Sequence, residues 1–181
     1  MGLVLEGHTA LVTGANGGLG AHFARTLSRA GAAVALCARR VDSLDQVAQA
    51  IMGSGGRASA VALDVTKRDS VVQAFVRAAE ALGPVTVAVN NAGIAVTKPL
   101  LEHTEEDWRS VVDVNLNGAW RIAQAAARHM VAHKQGGASS TSHRSSACAS
   151  RRRCRATSRR KRRSFISPRR WRSSSRATGY A

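Results

Sequence analysis

Residues 138–181 hold no Asp or Glu and almost no aliphatic side chain. A segment so poor in apolar surface cannot bury enough of it to offset the entropy of ordering the chain, so disorder is expected there rather than a second domain. Cysteine is scarce as well. Cys37, Cys148 and Cys154 show neither metal-ligand nor redox-pair spacing, which argues against zinc and dithiol centres and makes a reducing compartment the default. The opening residues, MGLVLEGHTALVTG, lack a basic stretch followed by a long apolar run, and no apolar stretch reaches membrane-spanning length. The expectation is a soluble, cytosolic protein without a secretory leader or a membrane span.

What is present divides by position. The formal charge of +16 suggests a nucleic-acid binder until it is apportioned. Residues 1–137 carry 13 Lys and Arg against all 11 Asp and Glu, whereas residues 138–181 carry 13 Arg and one Lys against none. The basicity therefore belongs to the tail, and the first part is a near-neutral globular sequence. Two regions are expected: a domain over 1–137 and an Arg/Ser-rich tail over 138–181.

Short β-like runs alternate with amphipathic stretches through the first region, the pattern of a parallel sheet built from βαβ units. TALVT (9–13), AVALC (33–37), ASAVALDV (58–65) and VTVAVNNAG (85–93) read as strands, the last running into a turn. Helices are expected over 18–30, where Leu19, Phe23 and Leu27 recur every four residues, over 43–52, over 68–82, and as one long helix over 105–133. The periodic pattern stops at Gly136-Gly137. The expected fold is α/β, a Rossmann-like doubly wound parallel sheet that is incomplete at about four strands and carries a disordered basic tail.

TGANGGLG stands between a strand and a helix, the context in which a glycine pattern becomes informative. Gly14 allows the tight turn, Gly18 lets backbone approach a pyrophosphate, and Gly20 lets the helix sit close to the strand. The helix N-terminus adds unpaired N–H groups and a positive dipole end. The T-G-x-x-x-G-x-G spacing (Thr13, Gly14, Gly18, Gly20) is followed in order by LDV at 63–65, NNAG at 90–93 and VNLNG at 114–118. With these motifs the sequence resembles the short-chain dehydrogenase/reductase family, over about residues 5–137.

The resemblance implies hydride transfer between a nicotinamide cofactor and an alcohol or ketone. It implies a cofactor site at Thr13, Gly14, Asn16, Gly18, Leu19 and Gly20, with Asp64 and Val65 at the adenine and Asn90, Ala92 and Gly93 supporting the central strand and the cofactor. Asn115 would be the catalytic Asn that holds a water in the proton relay. An acid at the end of the second strand would bind the ribose 2′-hydroxyl of NAD, whereas Arg accommodates a 2′-phosphate. Here the strand ends CARR, with small Ala38 and then Arg39 and Arg40. NADP(H) is therefore favoured over NAD(H), although paired arginines also serve solubility. The family's long helix commonly packs in a subunit interface, so a homo-oligomer is implied, but doubtful for a chain this incomplete.

The family also needs a Tyr general acid/base, its pKa lowered by a nearby Lys, and a Ser that polarises the carbonyl. The only Tyr is Tyr180, with no Lys after it, and Ser139–Ser146 supply hydroxyls without an apolar strand around them. Codon chemistry offers a reason. A Ser codon TCN, read one base early, becomes NTC (Ile, Val, Leu or Phe), and an Arg codon CGN becomes NCG (Ala, Ser, Thr or Pro). In that displaced frame, residues 138–148 can be read as an aliphatic strand containing Ser, and residues 156–180 as Tyr-Ile-Ala-Ser-Lys leading into an amphipathic helix. Thr157 restricts its displaced codon to Tyr, His, Asn or Asp, and Lys161 restricts its own to Lys, Gln, Glu or a stop. A frameshift near Lys134–Ala138 is thus the expected origin of the tail, with Asn115 the one catalytic residue left and no turnover as written. The competing reading is an evolved arm binding RNA or DNA. Such a cationic segment would bind polyanions with a steep salt dependence, but it has no regular Arg-Ser repeat and few aromatics for stacking (Phe165, Trp171). A bare apolar edge is expected at the fourth strand, and with it poor solubility.

Overall fold

Five parallel strands form one sheet in the order β3-β2-β1-β4-β5. The structure, a computed structural model, describes residues 3–142; the disorder expected for the rest of the tail lies outside the described residues. The strands are β1 (Thr9–Thr13), β2 (Ala33–Ala38), β3 (Ala58–Ala62), β4 (Val85–Asn90) and β5 (Ala138–Thr141). All of β1 and all of β2 but its last residue are buried, as befits central parallel strands covered on both faces, which read as unbroken apolar runs. Helices α1 (Gly18–Arg29) and α2 (Asp45–Met52) cover one face, packing Ala21, Ala24, Val47 and Ile51 against Val12, Val34 and Leu36. The opposite face takes α3 (Arg68–Leu82) and α5 (Gly118–Ala132), whose Val71, Phe75, Ile122 and Ala126 meet Leu11, Ala35, Val61 and Ala88. Leu11 and Val12 are neighbours in sequence and lie in opposite cores, because strand side chains alternate.

Two features depart from the expected layout. The sheet has a fifth strand where four were expected, and it lies beyond the point where the periodic pattern ends. β5 runs parallel to β4 with Val87 opposite Ala138 and Asn90 opposite Thr141, so the fourth strand's edge is paired rather than bare. Every residue of β5 is exposed, so backbone pairing and not side-chain burial holds it. Gly137 fixes its entry: a Cβ there would come within 2.5 Å of both the Met130 Sδ and the Thr86 carbonyl.

The single helix expected over 105–133 is three segments: α4 (Glu105–Val112), a π turn (Asp113–Asn117) and α5. A π turn inserts one residue into an α-helix and often marks a functional position; this one contains Asn115. Lesser differences lie at the ends. β3 stops pairing at Ala62, after which Leu63 N–H still donates to the Ala38 carbonyl at 2.9 Å before the chain turns at Asp64. Among the described residues no helix is long and apolar enough to cross a membrane, and no cluster of His, Cys, Asp and Glu suits a metal ion.

Candidate cofactor site

Strand order reverses between β1 and β4, because β1 passes the chain toward β2 on one side while β4 lies on the other. In open parallel sheets, ligands bind in the crevice at the carboxyl ends of the strands flanking such a reversal. The glycine loop leaves β1 at that point. Gly14 has φ +65°, a region an L side chain enters only with strain. At Gly20 the constraint is space, since a Cβ would collide with the Gly14 carbonyl oxygen and crowd the Asn91 Nδ2. Helix α1 therefore lies against the loop at a distance only glycine permits.

The start of α1 is chemically open. Gly17 offers no side chain to cap it and the first turn holds no acid. Helix α4 shows the alternative, with Thr104 Oγ1 accepting from the Asp107 N–H and the Asp107 carboxylate accepting from the Thr104 N–H, both at 3.1 Å. The free N–H groups and dipole of α1 are thus left for an external anion. A Cβ on Gly18 would meet nothing within 4 Å, so space for one lies beside the backbone.

A polar network ties this loop to the end of β4. The Thr13 hydroxyl, fully buried, donates to Asn90 Oδ1 at 2.9 Å and accepts from the N–H groups of Asn91 (3.0 Å) and Ala92 (2.9 Å). Asn91 Nδ2 donates to the carbonyls of Thr13 (3.2 Å) and Gly14 (3.3 Å). One hydroxyl and one amide hold two turns, 77 residues apart in sequence, in a single arrangement.

Around these turns runs a cleft of about 220 Å³, lined among others by Thr13, Gly14, Asn16, Arg39, Asp64 and Val65 on one stretch and by Ala92 and Gly93 on another. A second space of about 300 Å³ adjoins it, sharing Gly14, Asn16, Ala92 and Gly93 and adding Gly18 and Leu19. Ten of the thirteen residues expected from sequence thus border one continuous groove. Gly20, Asn90 and Asn115 do not line it and stand behind its walls. Burial raises the pKa of Asp64. Hydrogen bonds from Thr66 Oγ1 (2.7 Å) and Thr66 N–H (3.0 Å), with Lys67 and Arg39 nearby, outweigh that and hold the carboxyl below its ordinary value. Burial alone pushes the Cys37 thiol, fully buried at the cleft, well above its ordinary value, which leaves it protonated.

Asn115 is paired at both ends of its amide. Oδ1 accepts from the Ile94 N–H and Nδ2 donates to the Ile94 carbonyl, each at 2.9 Å. Its side chain is spent on holding the 93–94 segment against the π turn. Asn91 was not among the site residues expected from sequence, and Ser142 was expected only as one of the hydroxyls in the Ser139–Ser146 stretch. Asn91 was within the NNAG motif, but its bonds to the glycine loop depend on tertiary placement. Ser142 borders the second space, donates its N–H to the Asn90 carbonyl at 2.9 Å and its hydroxyl to Asn91 Oδ1 at 3.2 Å. In frame, the residues around it carry no apolar strand pattern; a strand was legible there only in the displaced frame.

The arrangement has counterparts among known proteins. The short chain dehydrogenase family profile matches residues 8–147. Gluconate 5-dehydrogenase of Gluconobacter oxydans is 38% identical over 132 residues, 73% of this chain and 52% of that protein. Cis-4-hydroxycyclohexanecarboxylate dehydrogenase of Sinomonas cyclohexanicum is 42% identical over 137 residues, 75% of this chain and 55% of that protein. The crystal structure of a short-chain type dehydrogenase/reductase from Mycobacterium marinum superposes with a TM-score of 0.74 at 40% identity, covering 77% of this chain and 55% of that one. The chain spans about half the length of the relatives it matches. With a family profile matching residues 8–147, most of its length, the chain belongs to the short-chain dehydrogenase family.

Proposed function

We propose that this is the cofactor-binding part of an NADP(H)-linked oxidoreductase that interconverts an alcohol and a ketone in the cytoplasm. The observation that carries the cofactor choice is the charge of the groove. Its charged lining is Arg39, Arg40 and Asp64, and β2 ends in Ala38 with no acid to take a ribose 2′-hydroxyl. Two guanidiniums at that wall suit a 2′-phosphate, while the Asp64 carboxylate is already engaged by Thr66.

The residues fit a dinucleotide. Gly14, Gly18 and Leu19 would present the open end of α1 to the diphosphate, Asp64 and Val65 would bound the adenine, and Ala92 and Gly93 the nicotinamide side. When bound, the nicotinamide supplies or accepts a hydride. Asn115, with each end of its amide hydrogen-bonded to Ile94, would keep Ile94 and Gly93 in place and hold the water of the proton relay. The proton-transferring Tyr and Lys and the polarising Ser are absent from the reading frame as it stands and would come from the displaced frame. The proposal is accordingly that this polypeptide binds cofactor without turnover, and that its basic tail grips polyanions only through charge.

Titration of the whole chain with NADP⁺ and NAD⁺ at raised salt, where loose contacts to the tail are weakened, tests the reading. NADP⁺ is expected to bind about tenfold more tightly, a difference of about 1.4 kcal/mol that one charge-assisted contact supplies. Arg39→Asp should erase it. Tighter NAD⁺ binding would overturn the preference, and binding of neither would overturn the site. Restoring the displaced frame by a single-base change near the Lys134–Ala138 codons is expected to give NADPH-dependent ketone reduction. DNA that encodes no Tyr-x-x-x-Lys in that frame would sink the frameshift and leave the basic arm as the reading to pursue.

A further inference from the structure

We infer that Arg121 is a positioning residue for the adenine end of the groove, acting from outside it through the carbonyl of Val65; the inference rests on the cofactor reading above. The wall in question is the turn from Asp64 to Lys67, between β3 and α3. Much of its bonding is local: Asp64 N–H donates to Ser70 Oγ at 2.9 Å, Lys67 N–H donates to the Asp64 carbonyl at 3.1 Å, and Thr66 donates to the Asp64 carboxylate. These bonds shape the turn without fixing where it stands over the groove. The Val65 carbonyl takes its hydrogen bond from far away, from Arg121 Nη1 at 3.3 Å, 56 residues on in sequence.

Arg121 is aligned for that task. The same Nη1 lies 2.9 Å from Asp113 Oδ1, and that oxygen also accepts from Asn117 Nδ2 at 3.2 Å. Asp113, Asn117 and Arg121 follow one another at intervals of four, across the π turn and into α5, and form a chain of bonds ending on Val65. Hydrogen bonds from Asn117 and then Arg121 hold the Asp113 carboxyl below its ordinary value, so the ion pair persists at neutral pH. The guanidinium side chain is 21% exposed, so the contact is largely shielded from water. One turn earlier Gly118 closes on the same residue: a Cβ there would come within 2.9 Å of Val65 Cγ2. Val65 is thus held by its side chain at Gly118 and by its carbonyl at Arg121.

This gives the π turn two duties. Its Asn115 fixes the Gly93–Ile94 segment on one side of the groove, while its Asp113 and Asn117 orient Arg121 toward the other. The two ends of a dinucleotide would then be set by one short stretch of helix. Because the bond that Arg121 makes to the groove goes to the adenine wall, its loss should weaken one half of the cofactor and spare the other, which a general loss of stability would not do.

The test is titration of the full chain with the two halves of the cofactor separately: 2′,5′-ADP, followed by calorimetry, and nicotinamide mononucleotide, followed by NMR. Arg121→Met is expected to weaken 2′,5′-ADP about fivefold, the effect of one hydrogen bond to a partly shielded carbonyl, and to leave the mononucleotide unchanged within about twofold. Asp113→Asn keeps an acceptor for Arg121 and should weaken 2′,5′-ADP by less than that. Unchanged 2′,5′-ADP binding in Arg121→Met, or equal weakening of both halves, overturns the inference. Should Arg121→Met not fold, Arg121→Gln retains a shorter donor and is measured in the same way; failure of both to fold assigns Arg121 to stability alone and overturns it too. A parent chain that binds neither half takes down the cofactor reading itself, a different result from a parent that binds and a variant that binds equally well.

Discussion

Strands β2 and β5 are both parallel neighbours in one sheet, yet they are held by different things. β2 is sealed between two layers of helix, with Leu36 and Cys37 wholly inaccessible; β5 lies on the outside of β4 with all four residues exposed. Its pairing register with β4 is as regular as that of β2 with β1. The backbone groups of any residue but proline can satisfy a strand edge, whereas only apolar side chains can fill a core. Hydrogen bonding can therefore extend a sheet into sequence that carries no pattern for it, and the pattern is required only where a layer must be closed.

The sharpest way to test that contrast is to change side-chain volume in β2, at the entry to β5 and in β5 itself. Leu36→Ala is expected to lower stability by about 3 kcal/mol, the range for a cavity in a closed core, read as the denaturant midpoint of the full chain. Gly137→Ala should act locally. Its methyl meets Met130 and the Thr86 carbonyl, an overpacking of about 1–2 kcal/mol, and should speed amide exchange at Ser139–Ser142 while leaving β1 protected. Ser140→Ala should change stability by less than about 0.5 kcal/mol, as for an exposed side chain without a partner. A loss at Ser140 comparable to that at Leu36 would mean that β5 is fixed by its side chains after all.

The same contrast explains what could be seen in the sequence. β1 and β2 were legible because burial on both faces writes itself as TALVT or AVALC, and β3 and β4 because their runs stay apolar; β5, written ASST, has no such signature. Helix α3 was read to the residue, since Gly83 with φ +96° ends it and its apolar positions recur regularly. The π turn was hidden because Val111, Val114 and Ile122 suggest one unbroken helix, and the extra residue falls among polar positions. In the site, the glycines, Asp64 and Asn115 were legible as ordered motifs resembling a family. Asn91 and the Arg121–Asp113 pair were not, since each acts through a partner that only the fold brings near.

The π turn has a further consequence, best put as a matter of phase. An α-helix turns about 100° with each residue, so adding or removing one residue would ordinarily swing every later side chain off its face. Here the surplus residue is absorbed within Asp113–Asn117, and Ile122, Ala126 and Met130 still point into the core. The helix therefore contains one place where the chain can change length by a single residue while the core beyond it keeps its phase. What could not survive such a change is the grip of Asn115 on Ile94. The core tolerates the slip, and the site is what forbids it.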